Sequence, residues 1–135
     1  MTSNENFRGT CHCGAVALSI PTKPDVVLDC NCSWCSKTGA RWSYFSPAEI
    51  TVVGETRQYA NKDRNPAFIS LHFCGTCGCV THWTSLPIWE QDKQGVNMRL
   101  FDDSAVEGVE LRYSDGRNWN RHDPPGTRRA SEWLP

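Results

Sequence analysis

The chain has 135 residues, 39% of them apolar, with 14 basic and 15 acidic side chains and a formal net charge of -1. That length allows one domain with a modest core, the composition excludes a disordered chain, and the charge balance excludes general attraction to nucleic acid or an anionic membrane. No apolar run approaches the roughly 18 residues of a membrane span, and the Met1-Thr2-Ser3-Asn4-Glu5-Asn6 start lacks a basic-then-apolar signal pattern, so the expected address is the cytoplasm.

Short segments rich in β-branched or aromatic residues and bounded by Gly, Pro, Asp or Asn predict strands. In chain order they are Ala15–Ile20, Val26–Cys30, Arg41–Phe45, Ile50–Val53, Ala67–Phe73, Val80–Trp83 and Val96–Phe101. Ser33–Gly39 is expected to form a short helical segment. Ser46-Pro47-Ala48-Glu49 predicts another, with Ser46 as N-cap, Pro47 at the first helical position and Glu49 closing a capping box. Longer helical periodicity is lacking, so the expected fold is mainly β, built of antiparallel sheets with short helical turns. A single domain over residues 1–135 is expected. Beyond Asn118 the pattern fades, and Asp123-Pro124-Pro125-Gly126 reads as a surface tail that packs through Trp119 or Trp133.

Eight cysteines in a reducing compartment point to metal rather than disulfides. They fall in three clusters: Cys11-His12-Cys13-Gly14, Cys30-Asn31-Cys32-Ser33-Trp34-Cys35 and Cys74-Gly75-Thr76-Cys77-Gly78-Cys79. Two cysteines separated by one or two residues can grip zinc from one turn, and two such turns close a tetrahedral site. In a metal knuckle the residue after the second cysteine often takes a positive φ, which Gly adopts freely. Gly14 follows Cys13 and Gly78 follows Cys77, whereas Ser36 follows Cys35. Cys11, Cys13, Cys74 and Cys77 are therefore assigned to one closed structural zinc site. Cys30, Cys32 and Cys35 remain, an arrangement of three protein ligands and one open position that suits a catalytic zinc and a thiol substrate.

Other readings compete at each cluster. Cys79, His12, His72 or His82 could supply a fourth ligand to the middle cluster and make it structural too. Cys74-Gly75-Thr76-Cys77 alone matches a redox pair, although strand-like Gly78-Cys79-Val80-Thr81 follows where such a motif expects a helix. The His-x-Glu and Pro-Cys-x-x-Cys pattern of zinc deaminases is missing. Cys79 itself reads as a small buried hydrophobe. Trp34 lies between two of the expected ligands and forms either a wall of a substrate pocket or a shield for the metal. Lys37 and Arg41 follow the middle cluster closely enough to bind substrate carboxylates at its rim, and Arg64 sits in a polar loop nearby. Trp42, Tyr44 and Phe45 read as core, and His72 and His82 as hydrogen-bonded structural histidines.

In order and spacing these clusters resemble the glutathione-dependent formaldehyde-activating enzyme family. The Gly9-Thr10-Cys11-His12-Cys13-Gly14-Ala15-Val16 start, the Phe73-Cys74-Gly75-Thr76-Cys77-Gly78 segment and Val96-Asn97-Met98-Arg99-Leu100-Phe101-Asp102 fit it as well, so the resemblance covers about Gly9 to Asp103. It implies an Mss4-like β-tent with two zinc ions, a structural one at Cys11, Cys13, Cys74 and Cys77 and a catalytic one at Cys30, Cys32 and Cys35. The implied activity is that of a carbon–sulfur lyase, the reversible combination of formaldehyde with glutathione to give S-hydroxymethylglutathione. Asn31 departs from the pattern, since many members carry His between the first two cysteines of the middle cluster. A non-catalytic zinc module that binds a protein partner is the competing function.

Overall fold

The computed structural model describes residues 6–62, 66–89 and 92–116. Strands dominate because apolar or aromatic residues alternate with polar ones over short segments that turn residues interrupt. Ten strands are present among the described residues: β1 (Phe7–Thr10), β2 (Ala17–Ile20), β3 (Val26–Cys30), β4 (Trp42–Phe45), β5 (Thr51–Val53), β6 (Thr56–Ala60), β7 (Ile69–Cys74), β8 (Val80–Ser85), β9 (Gln94–Asn97) and β10 (Glu110–Ser114). They form a three-stranded sheet, β1-β2-β5, and a seven-stranded sheet, β10-β3-β4-β9-β8-β7-β6. Every pairing is antiparallel except β10 with β3, which is parallel and sets Ser114 opposite Cys30. The expectation of a mainly β fold with antiparallel sheets and short helices is met.

Helix α1 (Ser33–Thr38) occupies the expected segment and stops where Gly39 takes φ 73 and donates its N–H to Cys35 O. The Pro47–Glu49 turn is a 3₁₀ helix, and the Glu49 carboxylate accepts from the Ser46 N–H at 2.9 Å, as a capping box requires. Helix α2 (Asp103–Val106) precedes β10, and the long connection from β3 through β9 and α2 is the crossover that a parallel pair needs.

The expected strand Val96–Phe101 ends early, at Asn97, and Met98–Leu100 winds into a 3₁₀ turn. The Asn97 side chain is the cause. Its Oδ1 accepts from the Arg99 and Arg41 N–H groups at 3.1 and 3.2 Å, and its Nδ2 donates to Val80 O at 2.8 Å, so the amide does the work of the ladder and caps the turn. Strands β1, β6 and β10 were not expected. Each lies at an edge of its sheet, where polar residues such as Arg57 and Gln58 face solvent and blur the alternation.

Two apolar clusters flank the large sheet. Leu18 and Ile20 of the small sheet meet Val27, Val96, Met98, Phe101 and Ala105 on one side. Ala40, Trp42, Leu71 and Trp83 pack with Trp34, Cys35 and Tyr44 on the other, and this second face carries the middle cysteine cluster. The tail beyond Asn118, with Trp119 and Trp133, and Arg64 lie outside the described residues.

Candidate metal centres

The first cluster forms where β1 and β7 end. Cys11 follows β1 and Cys74 ends β7, and each segment then turns to a glycine of positive φ: Gly14 N donates to Cys11 O at 3.1 Å and Gly78 N to Cys74 O at 2.9 Å, with φ 82 and 83. The sulfurs of Cys11, Cys13, Cys74 and Cys77 converge within 4.8 Å of one another. Cys11 to Cys13 and Cys13 to Cys74 both measure 3.7 Å. A tetrahedral metal with bonds to sulfur of about 2.3 Å has sulfur–sulfur edges of about 3.8 Å, whereas a disulfide needs about 2.05 Å. Backbone N–H groups favour the charged sulfurs: Val16 N donates to Cys11 Sγ at 3.3 Å and Thr76 N to Cys74 Sγ at 3.4 Å. The Cys77 thiol is lowered to about 5, first by the N–H groups of Cys79 and Cys13. This set can hold a metal ion. A strand, β8, follows Cys77 where a redox pair expects a helix.

The second cluster is built by β3 and α1. Cys30 ends β3, Cys32 is the N-cap of α1, and Cys35 stands in its first turn, so one short connection brings three sulfurs within 4.8 Å. Cys32 N donates to Cys30 Sγ at 3.4 Å and Cys35 N to Cys32 Sγ at 3.2 Å. The buried Trp42 indole donates its N–H to Cys35 Sγ at 3.3 Å. Crowding splits the three thiols: Cys32 is pulled down to about 2, chiefly by the neighbouring Cys30 and Cys35 thiols, while Cys30 is pushed up to about 11, first by Cys32, and Cys35 further, by both Cys30 and Cys32. Three thiolates at this spacing therefore need a cation among them.

Among the described residues no fourth His, Cys, Asp or Glu joins this set. His72 and His82 instead stack on each other, with centroids 4.1 Å apart. Thr56 and Thr84 bond to the ring nitrogens of His72 at 2.9 and 3.0 Å, and Thr81 bonds to His82 at 2.8 Å. Cys79 is half-buried against Cys11, Val16 and Cys74.

A family model described as "Glutathione-dependent formaldehyde-activating enzyme" matches residues 6–114, and both cysteine clusters lie within that span. The chain belongs to this family. It is also similar to a Rhodobacter sphaeroides protein of known crystal structure, with 26% identity and a TM-score of 0.58 over 77% of this chain and 98% of the other. No curated protein matches the chain.

In this member of the formaldehyde-activating family the residues expected at the substrate rim part company. Trp34 lies half-buried on the second apolar face and meets Tyr59 edge to face at 6.1 Å. Lys37 is exposed in the last turn of α1. Arg41 is turned away from the cysteines, contrary to expectation: it pairs with Asp29 at 2.8 Å and lines a cavity of about 340 Å³ with Val27, Met98 and Phe101. The reason is strand alternation, since Trp42 points to the sulfurs and its predecessor must point the other way. Three contacts escaped the sequence. Trp42 was read as plain core. Asn31, only 1% exposed, donates to Asp115 Oδ1 at 2.8 Å and from its backbone N to Ser114 O at 3.1 Å. Gly116 lies so close that a Cβ there would stand 2.3 Å from Cys30 Sγ. The last two depend on the parallel pairing of β10 with β3, which no local pattern announces. Among the described residues no helix is long and apolar enough to cross a membrane.

Proposed function

We propose that the chain is a zinc-dependent carbon–sulfur lyase of the cytoplasm, acting on a thiol–aldehyde adduct such as S-hydroxymethylglutathione and holding one zinc ion in each cysteine cluster. The observation behind this reading is the unequal ligand count, four convergent sulfurs at one centre and three at the other among the described residues. Four thiolates complete a tetrahedral zinc site, so Cys11, Cys13, Cys74 and Cys77 have a structural role; three are the protein's share of a catalytic one. Family membership supports glutathione and formaldehyde as the reacting pair.

A zinc ion held by Cys30, Cys32 and Cys35 would lower the pKa of a substrate thiol, so that the nucleophilic thiolate is present at neutral pH. The chain's own part is to fix those ligands. The first turn of α1 positions Cys32 and Cys35, the Trp42 N–H holds the Cys35 sulfur, and the Asn31–Asp115 bond holds the loop between Cys30 and Cys32. Asn31 stands where many members carry His, and the three ligands themselves are unaffected by that change. Trp34 forms an apolar wall beside the ligands, and Lys37 supplies a cation for a substrate carboxylate.

Protein purified without chelator should contain two zinc ions per chain, and one or none would refute the two-centre assignment. Exchange NMR of a glutathione and formaldehyde mixture should then show exchange with the adduct that the protein accelerates. Because the adduct also forms spontaneously, the comparison that counts is with Cys35→Ala. Equal rates with the two proteins would remove the catalytic role and favour a zinc module that binds a protein partner.

A further inference from the structure

Tyr44 is a titratable group on the apolar face that also receives Cys35, and the mechanism above gives it no role. Its place follows from β4. Residues two apart on a strand share a face and lie about 7 Å apart, so Tyr44 stands on the same side as Trp42, whose indole N–H holds the Cys35 sulfur. Both residues pack on the face that receives Trp34 and Cys35 from α1. The ring is held by two neighbours. Gly95 is opposite Tyr44 on β9 and also opposite Trp83 on β8, and a Cβ on Gly95 would stand 2.0 Å from Trp83 Nε1. The missing side chain thus lets the Trp83 indole lie across β9 and meet the Tyr44 ring, with centroids 5.9 Å apart and planes at 58°. The Lys93 ammonium lies 5.0 Å from the ring centroid.

Fixed in this way, the half-buried Tyr44 side chain has no hydrogen-bond partner for its hydroxyl among the described residues. Burial pushes its phenol well above the usual tyrosine range. A tyrosine is in any case protonated at neutral pH, so the group is a donor on the face that also carries Cys35, with its hydrogen unclaimed. An addition of thiol to aldehyde needs such a donor where negative charge develops on oxygen.

We infer that Tyr44 is the catalytic residue that donates a proton to the aldehyde oxygen as the thiolate adds to the carbonyl carbon. This role rests on the thiol–aldehyde reading of the three-cysteine centre. In the step, the thiolate lone pair forms the C–S bond, the π bond of the carbonyl breaks and its electron pair passes to oxygen. That oxygen takes the phenol proton. The proton that the thiol released on ionising returns to the tyrosinate through solvent, so the net change is thiol plus aldehyde to S-hydroxymethyl adduct. In the cleavage direction the phenol first gives its proton to solvent, and its oxygen then accepts the adduct hydroxyl proton as the C–S bond breaks and the carbonyl reforms. The Lys93 cation over the ring steadies the negative charge during the exchange.

Tyr44→Phe keeps the ring against Trp83 and removes only the hydroxyl, so it isolates the role. The catalysed exchange rate at saturating glutathione should fall about 100-fold, the cost typical of losing one preorganised donor, while KM for the thiol changes less than about threefold. Two further readouts separate this from damage to the site. Metal content should stay at the wild-type value, and a cobalt(II)-loaded sample should show the same sulfur-to-cobalt absorption response to glutathione as loaded wild type. A variant with the wild-type rate, or one that loses metal or thiol binding in step with its rate, overturns the role of Tyr44 alone. Wild-type protein with no acceleration overturns this role together with the thiol–aldehyde reading beneath it.

Discussion

A methyl group at position 116 would stand 2.3 Å from Cys30 Sγ, well inside any permitted contact, and a tight 3.3 Å from Cys32 Cβ. Relief must come from the sulfur or from the end of β10, and both belong to the second centre. Gly116→Ala should therefore reduce zinc from two ions per chain to one by elemental analysis, while far-UV circular dichroism and the first centre stay intact. Two zinc ions in the variant would show that the loop yields and that Gly116 does not guard the site. Residue types announced the ligands themselves, because paired cysteines followed by Gly need no tertiary knowledge to be recognised. Their supports were hidden. Trp42 looks like any core aromatic, Asn31 like a change at a neutral position, and Gly116 like a turn residue, since what each touches lies on another strand.

At the scale of elements the two centres hold different things together. The first joins the end of β1 in the small sheet to the end of β7 in the large one, across 61 positions of sequence. The second joins β3 to the helix that directly follows it, and β10 already reaches β3 through a ladder. A structural zinc contributes an apparent binding energy of about 10–16 kcal/mol, as large as the whole stability of about 5–15 kcal/mol expected for a domain. Cys74→Ala should accordingly unfold the protein at 25 °C, seen as loss of cooperative thermal melting. Cys35→Ala should melt within a few degrees of wild type and lose only one zinc. Equal unfolding of both would show that the division of roles is wrong. Of the strands at these centres, β3 and β7 were legible in outline because their apolar residues are packed on at least one face. The edge strands were not: Thr56–Ala60 exposes Arg57, Gln58 and Tyr59, and its pairing with β7 is decided by register rather than by its own pattern.

For the molecule as a whole, the stacked pair at the cross-strand position of β7 and β8 sets a direction for the pH dependence of stability. His82 is 4% exposed and its imidazole is lowered to about 3, first by burial and then by His72; burial lowers His72 as well. An unfolded histidine titrates near 6.5, so between about pH 3 and pH 6.5 the unfolded chain binds a proton that the folded chain refuses. The contribution of His82 is thus fully present above about pH 6.5 and is lost as pH falls through that window, by about 2 kcal/mol at pH 5. Protonation of the metal-bound cysteines acts in the same direction, because ligands must stay deprotonated, so acid weakens the fold through two independent routes. Urea unfolding of wild type and His82→Gln at pH 7 and pH 5, with zinc held in excess, separates them. The variant loses the imidazole but keeps all seven ligands, so its stability should fall by about 2 kcal/mol less between the two pH values than that of wild type. An equal fall in both proteins would assign the whole acid sensitivity to the metal centres and leave the histidine pair with a packing role.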